Sequence, residues 1–203
     1  MIETPRGPAR VHVSLPRAGA ATGALVLGHG AGGGIGAPDI QAAARAAESL
    51  RIAVALVEQP YRVAGRRAPA PAAHLDDAWV AVVARLSERE LSGLALVTGG
   101  RSLGARVACR TVAATGPAGV LCLAFPLQPP RRASAAAPSP SRLPELNAVT
   151  VPTLVVQGAN DRFGIPPGGP ARTVVTVAGD HGLKSDLPAV QDAVAGWLAD
   201  LVH

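Results

Sequence analysis

The sequence predicts an α/β fold: a doubly wound, mostly parallel sheet of about seven strands with helices on both faces. Three observations predict it. Several short apolar runs are continuous rather than alternating, as strands buried on both faces must be. They take turns with segments whose apolar residues recur at helical spacing. The chain of 203 residues has room for one such domain, expected to span residues 1–203.

In order, residues 11–15 alternate like a half-buried strand. This is the only strand that needs to run antiparallel. Residues 24–28 (ALVLG) form an apolar run ending in glycine. A helix is expected over 38–50, with Asp39 in its first turn. Residues 52–57 (IAVALV) are a strand, and 59–71 a loop rich in Pro and Arg. A helix over 72–91 carries Leu75, Trp79, Val82, Val83 and Leu86 near a 3.6-residue period. Residues 93–97 form a strand and 102–114 a helix. Strands follow at 120–124, 153–157 and 173–177. A helix over 187–202 closes the chain. The Pro-, Ser- and Arg-rich segment 126–149 reads as a long loop. It is too short to make a separate lid.

Composition removes several function classes. With 48% hydrophobic and 16% charged residues, global disorder is excluded. Aromatic residues make up 2%, so Val, Leu and Ala must build the core. The net charge is +5, and every basic residue except Lys184 is Arg. No basic helix or aromatic stacking surface accompanies that charge, so no nucleic-acid partner is expected. No apolar stretch approaches a membrane span, and the N-terminus lacks the apolar core of a signal peptide. Cys109 and Cys122 make no disulfide framework or metal motif and read as core filling. A reducing, cytoplasmic setting is the expectation. No His, Cys, Asp and Glu cluster has metal-ligand spacing, and no cofactor is expected.

The chemistry concentrates at four places, each just past an apolar strand. Gly100-Arg101-Ser102-Leu103-Gly104 lies between the strand LALVT and the helix that follows. A Gly-x-Ser-x-Gly turn there pushes the Ser hydroxyl above the sheet edge and sets a helix N-terminus beneath it. Asp161 follows the strand TLVVQ, and His181 follows TVVTV. In a parallel sheet all three fall on one edge. Nucleophile, orienting carboxylate and imidazole base therefore occur in the order Ser102, Asp161, His181. The fourth place is Gly28-His29-Gly30-Ala31-Gly32-Gly33-Gly34, after ALVLG. Acyl transfer needs two N–H donors for an oxyanion. One is expected from Leu103, the other from Ala31 or Gly32. A phosphate-cradling loop competes for the glycines, but no Gly-Lys-Ser/Thr ending is present. His29 reads as a loop residue rather than a base.

With these pieces in order, the chain resembles the α/β-hydrolase superfamily, and within it the small, lidless, dienelactone-hydrolase-like members. The closest likeness is to the group of testis-expressed protein thirty and the hydrolase-like domain of subunit three of the non-specific-lethal complex. It rests on GHGAGGG at 28–34, EQPYRVAGRR at 58–67, GGRSLGAR at 99–106, FPLQPP at 125–130, QGANDRFG at 157–164 and GDHGLK at 179–184. The resemblance implies a serine hydrolase with Ser102, Asp161 and His181 as triad. Leu103-Gly104-Ala105 stands where the group more often has Met-Gly-Gly. The dienelactone enzymes use Cys at the nucleophile position, so their lactone substrate does not carry over.

The expected activity is cleavage of small esters or thioesters through an acyl-enzyme. A peptidase or acyltransferase on the same triad, or a non-catalytic module of the same fold, are the alternatives. Arg62, Arg66, Arg67, Arg101, Arg131, Arg132, Arg142 and Arg162 all follow strand ends or adjoin the triad. They are expected as a basic rim that favours anionic esters, against the alternative of solvated loop arginines. The expected partner is a small-molecule ester, and the expected state a monomer or homodimer.

Overall fold

Glycine and apolar side chains meet in the middle of one sheet, and the helices stack on its two faces. The computed structural model describes residues 1–16, 18–129 and 140–202. The strands are β1 (Arg10–Ser14), β2 (Gly23–Gly28), β3 (Ile52–Glu58), β4 (Leu96–Arg101), β5 (Gly119–Leu123), β6 (Thr153–Gly158) and β7 (Arg172–Val177). They form a seven-stranded sheet in the order β1-β3-β2-β4-β5-β6-β7. Only β1 runs antiparallel, pairing Arg10 with Glu58 and Ser14 with Val54. The α/β expectation therefore holds, with the seven strands and single antiparallel edge that the sequence suggested.

Every residue of β2, β5 and β6 is buried, which accounts for their unbroken apolar character. Strand geometry sends successive side chains to opposite faces. Leu25 and Leu27 pack with Ile40 and Ala43 of α1 (Pro38–Ser49) and with Val190 and Val194 of α7 (Leu187–Val202). Ala24 and Val26 pack on the other face with Trp79, Val82 and Leu86 of α3 (Ala72–Glu88). Burying each such Leu or Val contributes about 1.5–3 kcal/mol. The small alanines of α1 let it lie close to both the sheet and α7.

Several boundaries differ from expectation, each for a local reason. Strand β4 starts at Leu96 and continues through Gly99, Gly100 and Arg101, later than the expected 93–97. Gly99 and Gly100 pair with Leu121 and Cys122, although glycine is a weak strand former. The expected helix 102–114 is α4 (Leu103–Arg110) and α5 (Val112–Thr115). The break is Thr111, whose hydroxyl donates back to the carbonyls of Val107 and Ala108. Helix α3 stops at Glu88 rather than residue 91, because Arg89 leaves the helical region at φ −126°, ψ −95°. The stretches expected as loops contain one-turn helices, α2 (Pro60–Val63) and α6 (Leu143–Asn147), each with Pro in its first turn. Among the described residues, no helix is long and apolar enough to cross a membrane.

Candidate active site

The carboxyl ends of β4, β6 and β7 open onto one edge of the sheet, and the site is assembled there. Ser102 sits between β4 and α4 with φ 51° and ψ −100°. A non-glycine residue in that region is strained, typically by about 1–3 kcal/mol. Its surroundings enforce the conformation. A Cβ on Gly100 would run into the Gly28 carbonyl oxygen, and one on Gly104 would lie 2.5 Å from that same oxygen. The elbow thus fits only because both flanking positions are glycine, so that β2 and α4 close on it. The Ser102 N–H donates to the Leu123 carbonyl at 2.9 Å, which pins the turn to β5.

His181 Nε2 lies 3.0 Å from Ser102 Oγ, and His181 Nδ1 lies 2.7 Å from Asp161 Oδ2. A carboxylate only accepts, so Nδ1 carries the hydrogen and Nε2 presents its lone pair to the hydroxyl. Asp161 is held by two further donors. The Gln157 amide nitrogen donates to Oδ2 at 2.7 Å, and the Phe163 N–H donates to Oδ1 at 2.9 Å. The Gln157 side chain is fully buried, and its nitrogen also faces the carbonyls of Phe125 and Gly164 at 3.0 Å. A flipped amide would set oxygen against three acceptors, so its orientation is fixed.

Two loops carry Asp161 and His181, and they are bonded to each other. Asn160 N–H donates to the Gly179 carbonyl, and Ala159 N–H to that of Val177. Just beyond the imidazole, Leu183 is wholly buried in the core against α1 and α7. It anchors the loop that bears His181. The Phe163 ring meets the imidazole edge-on, with centroids 4.4 Å apart.

The glycine-rich loop after β2 faces the same hydroxyl. A Cβ on Gly30 would come 3.8 Å from Ser102 Cβ. The loop is held from behind. Tyr61 OH donates to the Ala31 carbonyl at 3.1 Å. The Gln59 N–H donates to His29 Nε2 at 3.2 Å, and His29 Nδ1 lies 2.8 Å from the Gly30 carbonyl. The partners fix a neutral tautomer with hydrogen on Nδ1. Burial holds the His29 pKa below the usual 6.5; the Gly30 carbonyl opposes, Arg62 adds to the lowering, and Glu58 opposes. Leu103 opens α4, so its N–H has no acceptor inside the helix.

A family model described as the alpha/beta hydrolase domain matches residues 21–186. The chain belongs to the alpha/beta hydrolase family. No curated protein matches this hydrolase by sequence. Solved structures share its fold. A lidless a/b serine hydrolase from Xanthomonas campestris is 22% identical with a TM-score of 0.75, over 98% of this chain and 92% of that one. Est1E from Butyrivibrio proteoclasticus is 14% identical with a TM-score of 0.78, over 96% and 94%. A dienelactone hydrolase from Anabaena variabilis is 16% identical with a TM-score of 0.73, over 96% and 93%.

Among the described residues, the arginines expected as a basic rim do not gather in one recess. Arg101 is turned inward and ion-paired, so it is not a free rim charge. Arg142 donates to the Pro126 carbonyl. Arg66 lines a recess with Arg6 and His74, which Ser102 does not line. Arg67 is exposed, and Arg62 is half-buried on α2. Arg131 and Arg132 lie outside the described residues. Arg162 and Lys184 instead line two separate recesses, of which the first reaches His181. One, of about 450 Å³, includes Asn160, Asp180 and His181; the other, of about 490 Å³, includes Gly32, Gly34 and Arg101. Among the described residues, no three His, Cys, Asp or Glu side chains gather as a metal site.

Sequence reasoning assigned no role to Gln157, Phe163 or Tyr61. For Gln157 a signal existed: a polar amide ending a strand buried on both faces must find partners. Tyr61 and Phe163 fall within the motifs quoted above, but the contacts of their side chains, to the Ala31 carbonyl and the His181 imidazole, are made with residues distant in the chain.

Proposed function

We propose that this protein is a carboxylic-ester hydrolase that cleaves small ester or thioester substrates through a Ser102 acyl-enzyme. The observation that carries the reading is the continuous relay from Ser102 Oγ through His181 to Asp161, on a strained elbow at a sheet edge. Ser102 Oγ attacks the acyl carbonyl as His181 Nε2 takes its proton. Asp161 keeps the imidazole in the Nδ1–H tautomer and stabilises the imidazolium. The N–H groups of Leu103 and of Ala31 or Gly32 receive the oxyanion. His181 returns the proton to the leaving alcohol or thiol, and water then releases the acid by the reverse sequence. Each oxyanion donor is worth roughly 3–4 kcal/mol in the transition state.

The recess lined by His181, and the one beside the glycine-rich loop, support a reading in which the substrates are small. Lys184, in the recess beside the glycine-rich loop, supports a preference for anionic esters, whereas Arg162 shares its recess with Asp180. The structural neighbour Est1E has been seen with ferulic acid, a small carboxylic acid, bound. The reading keeps the hydrolase near the testis-expressed protein thirty group, on the motifs quoted above. It is expected to work as a monomer or homodimer, without nucleic acid. The two buried free thiols, with sulfurs 3.6 Å apart, suit a reducing compartment such as the cytoplasm.

Turnover of p-nitrophenyl acetate tests the activity. Wild-type protein should hydrolyse it, and Ser102→Ala should not. Turnover that survives in Ser102→Ala would remove Ser102 from the mechanism. Matched neutral and anionic esters, compared at low and high salt, test the charge preference. Equal rates with no salt effect would dispose of it.

A further inference from the structure

Arg101 is the residue before the nucleophile, and its guanidinium reaches three separate parts of the site. Nε lies 2.9 Å from Asp39 Oδ2, in the first turn of α1. Nη2 donates to the backbone carbonyl of His181 at 3.1 Å. Nη1 lies over Gly30 of the glycine-rich loop, so close that a Cβ there would come within 2.8 Å of it. One rigid, planar group therefore touches the base's loop, the oxyanion loop and a helix start, while its own backbone carries Ser102.

Asp39 is the second half of the device. It is completely buried. Its Oδ1 accepts the Ile40 N–H at 3.0 Å, and its Oδ2 meets only the guanidinium, as an ion pair short of a well-aligned hydrogen bond. Burial raises its pKa, and Arg101 is the first influence opposing that rise. A fold gains little from burying a carboxylate for stability alone, because desolvation offsets the Coulomb attraction. What the pair does supply is placement: with Nε beside Asp39, Nη2 donates to the His181 carbonyl and Nη1 packs against Gly30.

We propose that Arg101, braced by Asp39, is a positioning residue that sets the His181 backbone and the oxyanion loop in register with Ser102. It acts through His181 and the loop rather than on substrate. The proposal rests on the reading of Ser102, His181 and Asp161 as the catalytic relay. Lysine cannot replace it, since one ammonium cannot span three directions at once. Displacements of about 1 Å at such groups cost on the order of 100-fold in rate.

The test measures the rate at which a fluorophosphonate labels Ser102, together with kcat and KM for p-nitrophenyl acetate. Removing Arg101 alone would strand a buried charge and endanger the fold, so the decisive variant is Asp39→Asn/Arg101→Met, which removes both charges. It should stay folded, label about 30–100-fold more slowly than wild type, and lose kcat while KM stays within about threefold. Arg101→Lys, which keeps the charge opposite Asp39, should be slowed comparably, and it carries the test if the double variant does not fold. Labelling within threefold of wild type, or a slowing that merely tracks the unfolded fraction by circular dichroism, overturns the proposal. Wild-type protein that is folded yet takes no label overturns the underlying relay as well, so the two failures are distinguishable.

Discussion

Two sets of arginine contacts, those of Arg101 and those of Arg106 and Arg110, lie within ten residues of each other on the β4–α4 unit, and they do different things. At its front end, Arg101 ties loops together around Ser102. Along the flank of α4, Arg106 makes a bidentate pair with Glu145 at 2.9 and 2.6 Å. Arg110 makes another with Asp76 at the same two distances and approaches Glu145 at 3.6 Å. Those contacts join α3, α4 and α6. Both sets are partly buried. One holds backbone against backbone at the reacting edge, and the other holds helices to each other behind it. The lesson is that arginine content near a catalytic serine says nothing about substrate charge until each guanidinium has been traced to its partner.

The comparison can be broken in order of effect. Asp161→Asn should leave the fold intact and lower kcat about 10⁴-fold, because the imidazole would be held in the wrong tautomer. Steady-state ester hydrolysis checks it, and a loss under tenfold would mean that Asp161 does not orient the base. On the flank, Arg110→Met should lower stability by about 1–3 kcal/mol and Tm by roughly 3–8 °C. Its kcat/KM should stay within threefold of wild type. A large activity loss without a stability loss would erase the distinction between the two sets.

His29 offers a smaller, pH-dependent effect. Its folded pKa lies below 6.5 through burial, so the unfolded chain binds the extra proton first as pH falls. Stability should therefore be level above pH 6.5 and decline below it. The slope is at most about 1.4 kcal/mol per pH unit, and it ends once the folded pKa is passed. His29→Asn should flatten that limb in denaturant titrations between pH 4 and 8. Smallest of all is Arg6→Ala. The Arg6–Asp77 pair is 39% and 44% exposed, and its loss should change stability by less than about 1 kcal/mol.

The sheet and the meeting of Ser102, Asp161 and His181 were legible because both follow from rules local in sequence. Continuous apolar runs mark strands buried on both faces, and polar residues just past their ends must share an edge. What escaped was set by tertiary contact. The glycines of β4 disguise a strand whose ladder is fixed by β2 and β5. Thr111 splits a helix through a side-chain bond that periodicity does not register. Arg101 looked like a rim charge until its partners, Asp39 and the His181 carbonyl, were in view 62 and 80 residues away. Gln157 was visible as the end of a strand, but its role as a donor to Asp161 depends on a turn that brings the chain back on itself.

The central claim is that Ser102 is a nucleophile activated by His181. Intact-mass spectrometry after brief exposure to a fluorophosphonate tests it most directly. Wild-type protein should gain one phosphonyl adduct, mapped to Ser102, while His181→Gln should gain it at least about 1,000-fold more slowly. A folded wild-type protein that gains no adduct, or an adduct that forms equally fast in His181→Gln, would contradict the account.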